Sequence, residues 1–201
     1  MKVFFAMLLR VCSLYARVRR RAYRCRLLIV GRARHASFEL GDKVGFNVPV
    51  RAGGNGCLHI GSRNCFGDEA GYRLGSGEIS LYTANSTASI TIGERNFFNN
   101  NISIGAAEKV VIGSDCLFGG MVSISDCDFH DVRPKMRHSS PGLKGPVVIE
   151  DNVWIGFGTV ILKGVTIGTN SVVGAMSLVT KSIPANCISA GNPARVIRTL
   201  E

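Results

Sequence analysis

Apolar residues recur every six positions in the C-terminal part of this chain. The first series is Ile149, Ile155, Ile161, Ile167, Val173 and Val179, and a second series of mostly small or β-branched residues is Val153, Thr159, Val165, Ser171, Ser177 and Ile183. An α-helix repeats about every 3.6 residues and a strand about every two, so neither produces this period. A short strand followed by a turn does produce it, because successive rungs stack like residues on like. The pattern therefore predicts a β-solenoid.

The same period recurs upstream with interruptions. The shorter runs are Leu40 and Phe46; Ile60, Phe66 and Tyr72; Ile92, Phe98, Ile104 and Val110; and Ile112, Phe118 and Ile124. Three hexapeptides would form one triangular coil of about 18 residues. A step of 20 residues, such as Leu40 to Ile60, leaves two residues for a corner loop. Glycine often follows the apolar residue, as at Gly61 and Gly156, which predicts corners with positive φ and tight packing.

Over residues 40–198 this arrangement resembles the hexapeptide-repeat family, whose members are left-handed parallel β-helices and mostly CoA-dependent acyltransferases. Parallel β connections generally prefer the right hand, so the left hand is implied by the resemblance alone. We expect an all-β fold: a left-handed parallel β-helix over residues 35–201, with a loop at 125–147 that projects from it. A basic N-terminal segment, residues 1–34, precedes it.

The net charge of +10 belongs to that N-terminal segment, because residues 1–34 contain ten Lys or Arg and no acid. Apolar residues with helical spacing are Phe4, Met7, Leu8, Val11, Leu14, Tyr15 and Val18. They predict a basic amphipathic helix with a break before Leu27. Three interpretations stay open: peripheral contact with an anionic membrane, binding of an acidic polysaccharide, or a structural role as a cap on the solenoid or as a contact with a neighbouring subunit. Nucleic acid is not expected, because few aromatic residues interleave with the arginines.

Two features concern location. The longest apolar run covers residues 3–9, far short of the roughly 20 residues that span a membrane. Because Arg10 ends this run without a convincing cleavage site, a secretory signal is not expected either. The seven cysteines are odd in number and lack paired metal-ligand spacing. We therefore expect a reducing, cytoplasmic location, with the inner membrane face as a peripheral site.

The period breaks between Ile124 and Ile149, where a polar loop contains His130 and His138. Long loops on rigid scaffolds often contain functional residues. In the family that this chain resembles, a loop at this place carries a catalytic histidine, and Asp128-Phe129-His130 is the matching stretch. The resemblance implies that His130 is a general base, a role that suits imidazole near neutral pH. An acid among Asp126, Asp128 and Asp131 would orient its ring.

After the loop, Asn152-Val153-Trp154-Ile155-Gly156 resembles a signature of maltose-, galactoside- and capsule-type O-acetyltransferases. The resemblance implies that Trp154 borders the thioester and that the backbone at Gly156 and Ala175 binds the pantetheine arm of CoA. The residues implied near the nucleotide and its phosphates are Thr180, Lys181, Arg195 and Arg198. Either Asn100 or Asn101 would contact the sugar.

Together these features predict an O-acetyltransferase that moves acetyl from acetyl-CoA to a hydroxyl of a cell-surface glycan or its precursor, without a metal. The family resemblance implies that it is a homotrimer. An N-acetyltransferase acting on an amino sugar is the alternative with the same fold. A zinc enzyme of carbonic-anhydrase type is disfavoured, because it needs three convergent histidines and only His130 and His138 are close in sequence. The alternative from another class is a non-catalytic membrane- or glycan-binding solenoid.

Overall fold

The structure, a computed structural model, describes residues 2–68 and 77–201, with side chains from Val11 onward in these ranges. A single long helix, α1 (Lys2–Arg34), precedes a left-handed parallel β-helix, which confirms the predicted fold. Tyr72 and the side chains of Phe4, Met7 and Leu8 lie outside the described residues.

The β-helix has three faces, each a sheet whose strands come from successive coils. Face A contains β1 (Ser37–Leu40), β4 (Cys57–Ile60), β7 (Ser89–Ile92), β10 (Lys109–Ile112), β13 (Val147–Ile149) and β16 (Thr166–Ile167). Face B contains β2 (Gly45–Phe46), β5 (Cys65–Phe66), β8 (Phe97–Phe98), β11 (Leu117–Phe118), β14 (Trp154–Ile155), β17 (Val172–Val173), β19 (Cys187–Gly191) and β20 (Ala194–Thr199). Face C contains β3 (Val50–Gly54), β6 (Ile79–Thr83), β9 (Ser103–Ala106), β12 (Ser123–Ser125), β15 (Val160–Ile161) and β18 (Leu178–Val179). Only β19 and β20 pair antiparallel among the strand pairs of these sheets.

The six-residue period places its apolar residues in one continuous core. Ile149, Ile155 and Ile161 are each 0% exposed, although they lie on three different faces. The residues in equivalent register on face A are Leu40, Ile60, Ile92, Ile112, Ile149 and Ile167. On face B four phenylalanines (Phe46, Phe66, Phe98 and Phe118) stack in a column, with successive centroids 5.7, 4.9 and 4.6 Å apart. The coil-on-coil stacking predicted from the period is therefore confirmed.

The repeated glycines are needed for close approach between coils and not for their φ angles. A Cβ at Gly61 would lie 2.5 Å from the carbonyl oxygen of Gly93, and one at Gly156 would lie 2.5 Å from the amide nitrogen of Ala175. The positive φ angles at these corners occur two residues later, as at Arg63 with φ 59°. The corners thus have the expected positive φ and tight packing, but the positive φ falls two residues after each of these glycines and not on the glycine itself.

Helix α1 is continuous through Leu27, so the predicted break is wrong. Leu27 is 1% exposed and packs into the core, and Gly31 is buried against Phe38. Tyr23 also packs against the core. The helix thus uses its C-terminal part to cover the first coil, whose strands β1, β2 and β3 it contacts. In the described part of the chain, no helix combines the length and the apolar character that crossing a membrane requires.

Candidate active site

The loop of residues 125–147 leaves the corner between faces C and A as a short antiparallel hairpin. The amide of Asp128 donates to the Leu143 carbonyl at 3.0 Å, and the amide of Asp131 donates to the Ser140 carbonyl at 3.1 Å. On the body side, the Lys163 ammonium forms an ion pair with Asp128, with 2.5 Å between Nζ and Oδ1. These contacts hold the loop against face C and the C–A corner.

His130 projects from this hairpin with its ring exposed to solvent. Its Nδ1 lies 3.2 Å from the carbonyl oxygen of Arg137. Because a carbonyl oxygen can only accept, Nδ1 must carry the hydrogen, which leaves Nε2 of the neutral ring with a free lone pair. The neutral ring is therefore held in the tautomer that a general base acting through Nε2 requires.

The three acids near His130 have other partners. Asp126 is 0% exposed and accepts hydrogen bonds from the amides of Ala107, Glu108 and Lys109 at 2.7, 2.8 and 2.6 Å. The Arg133 guanidinium and amide hold the pKa of Asp131 well below its ordinary value. Within the described residues no carboxylate hydrogen-bonds to His130, so a backbone carbonyl orients the ring. This corrects the expectation that an acid such as Asp128 does so.

A second set of predicted residues lies on face B and at the corner between faces B and C. Trp154 stands on the sheet surface, 54% exposed. Beside it, three glycines (Gly119, Gly156 and Gly174) follow one another along the corner in successive coils. With Asn99 at one end and Ala190 at the other, the row covers four strand spacings, about 19 Å. We call this row the glycine track, a shallow groove without projecting side chains at its centre.

The backbone of the glycine track offers hydrogen-bonding groups to a ligand. The Ala175 amide donates no hydrogen bond within the described residues, and its side chain is exposed. The Gly156 amide, in contrast, donates to the Val173 carbonyl at 2.8 Å. Ala175 can therefore supply an N–H group at this corner, whereas Gly156 can supply only its carbonyl.

Of three consecutive asparagines, only the first lines this groove. Asn99 lines the cleft that also contains Trp154. Asn100 is 0% exposed, and its side chain binds the amide and the carbonyl of Asp68, each at 3.0 Å. The Asn101 side chain accepts from the Gly77 amide at 3.0 Å. The two asparagines predicted to contact sugar thus fasten the residues on either side of an intervening segment. Asn99, which the sequence pattern did not single out, is the one that lines the cleft.

The predicted phosphate-binding residues fall on two sides of the molecule. Arg198 pairs with Ile188, in the same cross-strand row as Val172 and Trp154. Arg195 pairs with Ala190 at the end of the glycine track. Thr180 and Lys181 are exposed at the C–A corner, in the coils beyond the His130 loop.

One chain does not bring these two sets together. Set one is the C–A corner, with His130, Thr180 and Lys181. Set two is face B with its B–C edge, where Trp154 and Ala175 lie. In a triangular coil the C–A corner is opposite face B, so the core separates the two sets. We call them the corner half-site and the face half-site.

A metal centre finds no support in the side-chain clusters. Among the described residues, no group of three His, Cys, Asp or Glu side chains is placed to hold a metal ion. His59 bonds to the Ser37 hydroxyl at 2.9 Å, and His35 is buried beside α1. Both residues lie outside the loop that carries His130 and His138.

Comparisons with known proteins agree with the repeat. Residues 146–181 match the family model described as bacterial transferase hexapeptide (six repeats). Galactoside O-acetyltransferase of Escherichia coli K12 is 42% identical over 113 residues, which are 56% of this chain and 55% of that protein. The Lactococcus lactis galactoside O-acetyltransferase is 40% identical over 104 residues, 52% of this chain and 50% of that protein. The chain thus spans about half the length of the curated relatives it matches.

Among solved structures, a hexapeptide-repeat acetyltransferase from Vibrio cholerae O1 biovar eltor, in complex with acetyl coenzyme A, is similar with a TM-score of 0.57. It is 28% identical, and the match covers 83% of this chain and 71% of that one.

Proposed function

We propose that this chain, a member of the hexapeptide-repeat transferase family, is an acetyl-CoA-dependent O-acetyltransferase that acts on a sugar hydroxyl of a cell-surface glycan or its precursor. The observation that carries the proposal is the 3.2 Å contact between His130 Nδ1 and the Arg137 carbonyl, which favours the tautomer whose Nε2 can accept a proton. Similarity to galactoside O-acetyltransferases supports the sugar acceptor, and similarity to a relative in complex with acetyl coenzyme A supports the donor.

The proposed site needs more than one copy of the chain. The corner half-site and the face half-site lie on opposite sides of the triangular coil, so the corner of one copy would have to meet the face of its neighbour. Such a contact joins two different surfaces, and an interface of this kind must close into a ring to avoid an open filament. We therefore propose a cyclic homotrimer, the assembly that the family resemblance implies, with each active site between two neighbours.

In this site His130 Nε2 would take the proton from the sugar hydroxyl as its oxygen attacks the thioester carbonyl. The new C–O bond forms, the C–S bond breaks, and the imidazolium returns the proton to the departing thiolate of CoA. Holding the reactants between two rigid coils supplies much of the rate, because it removes the entropy of bringing them together. Asp128 would position the loop through Lys163.

The face half-site suits an extended thioester donor. We propose that the pantetheine arm lies along the glycine track, where the Ala175 amide and the Gly156 carbonyl are free to bind its amides. Trp154 would border the thioester, and Asn99 would contact the reacting groups. Arg195 and Arg198 would bind phosphates from the face half-site, and Thr180 and Lys181 would do so from the neighbour's corner.

A groove beside the loop on face C suits the acceptor. Its lining includes the rings of Tyr82 and Phe129 and the hydroxyls of Ser103 and Ser123. Flat aromatic surfaces and hydroxyls together match the apolar faces and polar edges of a sugar ring.

All seven cysteines are free thiols, which supports a reducing compartment and hence a cytoplasmic location.

The test is thioester turnover: thiol released from acetyl-CoA with a panel of glycan acceptors, for wild type and for His130→Ala. We expect release that depends on an acceptor and falls about 100- to 10,000-fold in the variant, because general base catalysis contributes that much. His138→Ala, which removes the other imidazole of the same loop, should retain wild-type turnover.

Amino-sugar acceptors in the panel distinguish transfer to oxygen from transfer to nitrogen. Equal loss in both histidine variants would show that the loop and not the base matters. Failure of acetyl-CoA to bind in a parallel calorimetric titration would contradict the proposal as a whole.

A further inference from the structure

Helix α1 carries an apolar face that the β-helix does not cover. Val11, Tyr15, Val18, Ala22, Cys25 and Ile29 follow one another at alternating steps of four and three residues, so they lie along one side of the helix. Val11, Tyr15, Val18 and Ile29 are 57%, 67%, 58% and 69% exposed, and the adjacent Leu14 is 56% exposed. We call these seven residues the outer stripe.

The outer stripe faces away from the chain's own solenoid. The inner side of α1 is marked by Leu27, which is 1% exposed, and by Gly31, which is buried against Phe38. Leu27 follows Val18 by two and a half turns at about 3.6 residues per turn, so these side chains point in opposite directions. Packing within the chain therefore accounts for the inner side of α1 and leaves the outer stripe unexplained.

Arginines line both edges of the outer stripe. By the same helical rotation, Arg19 and Arg26 lie along one edge, and Arg21 and Arg32 lie along the other. Residues 1–34 contain ten basic residues and no acid. An apolar stripe between two basic edges is the arrangement that lies in the plane of a membrane interface, since arginine stems extend along the apolar region and their charges reach the headgroups.

We infer that α1 docks on an anionic membrane surface, with the outer stripe inserted between the headgroups and the β-helix held on the aqueous side. Membrane docking by α1 is independent of the proposed acetyl transfer. Charge complementarity selects a lipid surface over a second copy of the chain. Steps of four and three residues also suit a coiled coil, but two such helices would bring Arg19, Arg21 and Arg26 together without any acid to pair them.

The experiment is flotation of the full chain with phosphatidylcholine vesicles, alone or with about one-third phosphatidylglycerol. Val11→Gln, Val18→Gln and Ile29→Gln combined remove apolar contact from the outer stripe. Arg21→Gln, Arg26→Gln and Arg32→Gln combined remove three edge charges. The matched control is Lys43→Gln, Arg63→Gln and Lys109→Gln combined, which removes three exposed charges from the β-helix.

We expect wild type to float only with the anionic vesicles and to be released by high salt. The edge variant should partition on the order of 100-fold more weakly, because each basic residue near an anionic surface contributes about fivefold. The stripe variant should lose at least about tenfold, and the control should behave as wild type.

Three results would overturn the inference. The first is that wild type does not float with anionic vesicles. The second is that the stripe variant floats as well as wild type. The third is that the stripe variant has a smaller mass by light scattering while its vesicle binding is unchanged, which would assign the stripe to a contact with a second copy. Unchanged melting of all variants keeps each result interpretable, because every substituted side chain is exposed.

Discussion

A single methyl group decides how closely two coils of this β-helix can approach. At Gly156 a Cβ would lie 2.5 Å from the Ala175 amide nitrogen, although its φ is not positive. At Gly164 no atom lies within 4 Å of the added Cβ, but φ is 72°. The two glycines therefore serve different physical needs, one of space and one of backbone conformation.

The two positions predict different costs for the same substitution. Gly156→Ala should lower the free energy of unfolding by about 2–3 kcal/mol, because the neighbouring coil must move. Gly164→Ala should cost about 1 kcal/mol, the usual strain of alanine at positive φ. Denaturant titration of both variants measures the difference. A larger loss at Gly164 would mean that the coils adapt more easily than their backbone contacts indicate.

Residue roles were harder to predict from the sequence than residue positions. The sequence identified the stretch of residues 99–101, but adjacent asparagines point in different directions, and only the fold reveals that Asn100 is buried and Asn99 is not. The tautomer of His130 depends likewise on the carbonyl of Arg137, seven residues along the chain. Backbone partners of this kind leave no signal in composition or period.

At the scale of elements, the loop at 125–147 depends on a buried anchor and a more exposed one. Asp126, near the start of the loop, is fully buried, and its carboxylate accepts three backbone hydrogen bonds. Asp128, two residues on, pairs with Lys163, and their side chains are 28% and 27% exposed. The buried anchor should dominate stability, since charge-assisted bonds are stronger out of water.

Replacing each acid by its amide separates the two roles. Asp126→Asn turns an amide donor toward backbone donors and should cost about 2–4 kcal/mol of unfolding free energy. Asp128→Asn should cost less than about 1 kcal/mol, because partly exposed ion pairs contribute little, yet it should lower kcat by loosening the loop. Melting curves and turnover of both variants test this. Equal destabilisation by the two would contradict the assignment of Asp126 as the main anchor.

At the scale of the whole molecule, the solenoid was predictable from the sequence because each six-residue repeat forms one face of a three-faced coil. Ile149, Ile155 and Ile161 mark three faces of one coil without any long-range information. The same period does not indicate which corner lies opposite which face. Only the folded structure therefore reveals that the core separates His130 from Trp154. It is this separation that makes assembly part of the proposed chemistry.

A mixture of two inactive variants tests whether neighbouring copies share a site. His130→Ala disables the corner half-site, and Ala175→Phe fills the glycine track through an exposed side chain, so each variant alone should be inactive. Coexpressed, they would form mixed trimers in which some interfaces combine an intact corner with an intact face. Random assembly of equal amounts would restore about one quarter of wild-type activity, because each interface draws its two halves independently.

Mixing the variants after separate purification is the control and should restore little activity until subunits exchange. No recovery in coexpressed trimers of confirmed mixed composition would place both half-sites within one chain and refute the shared site.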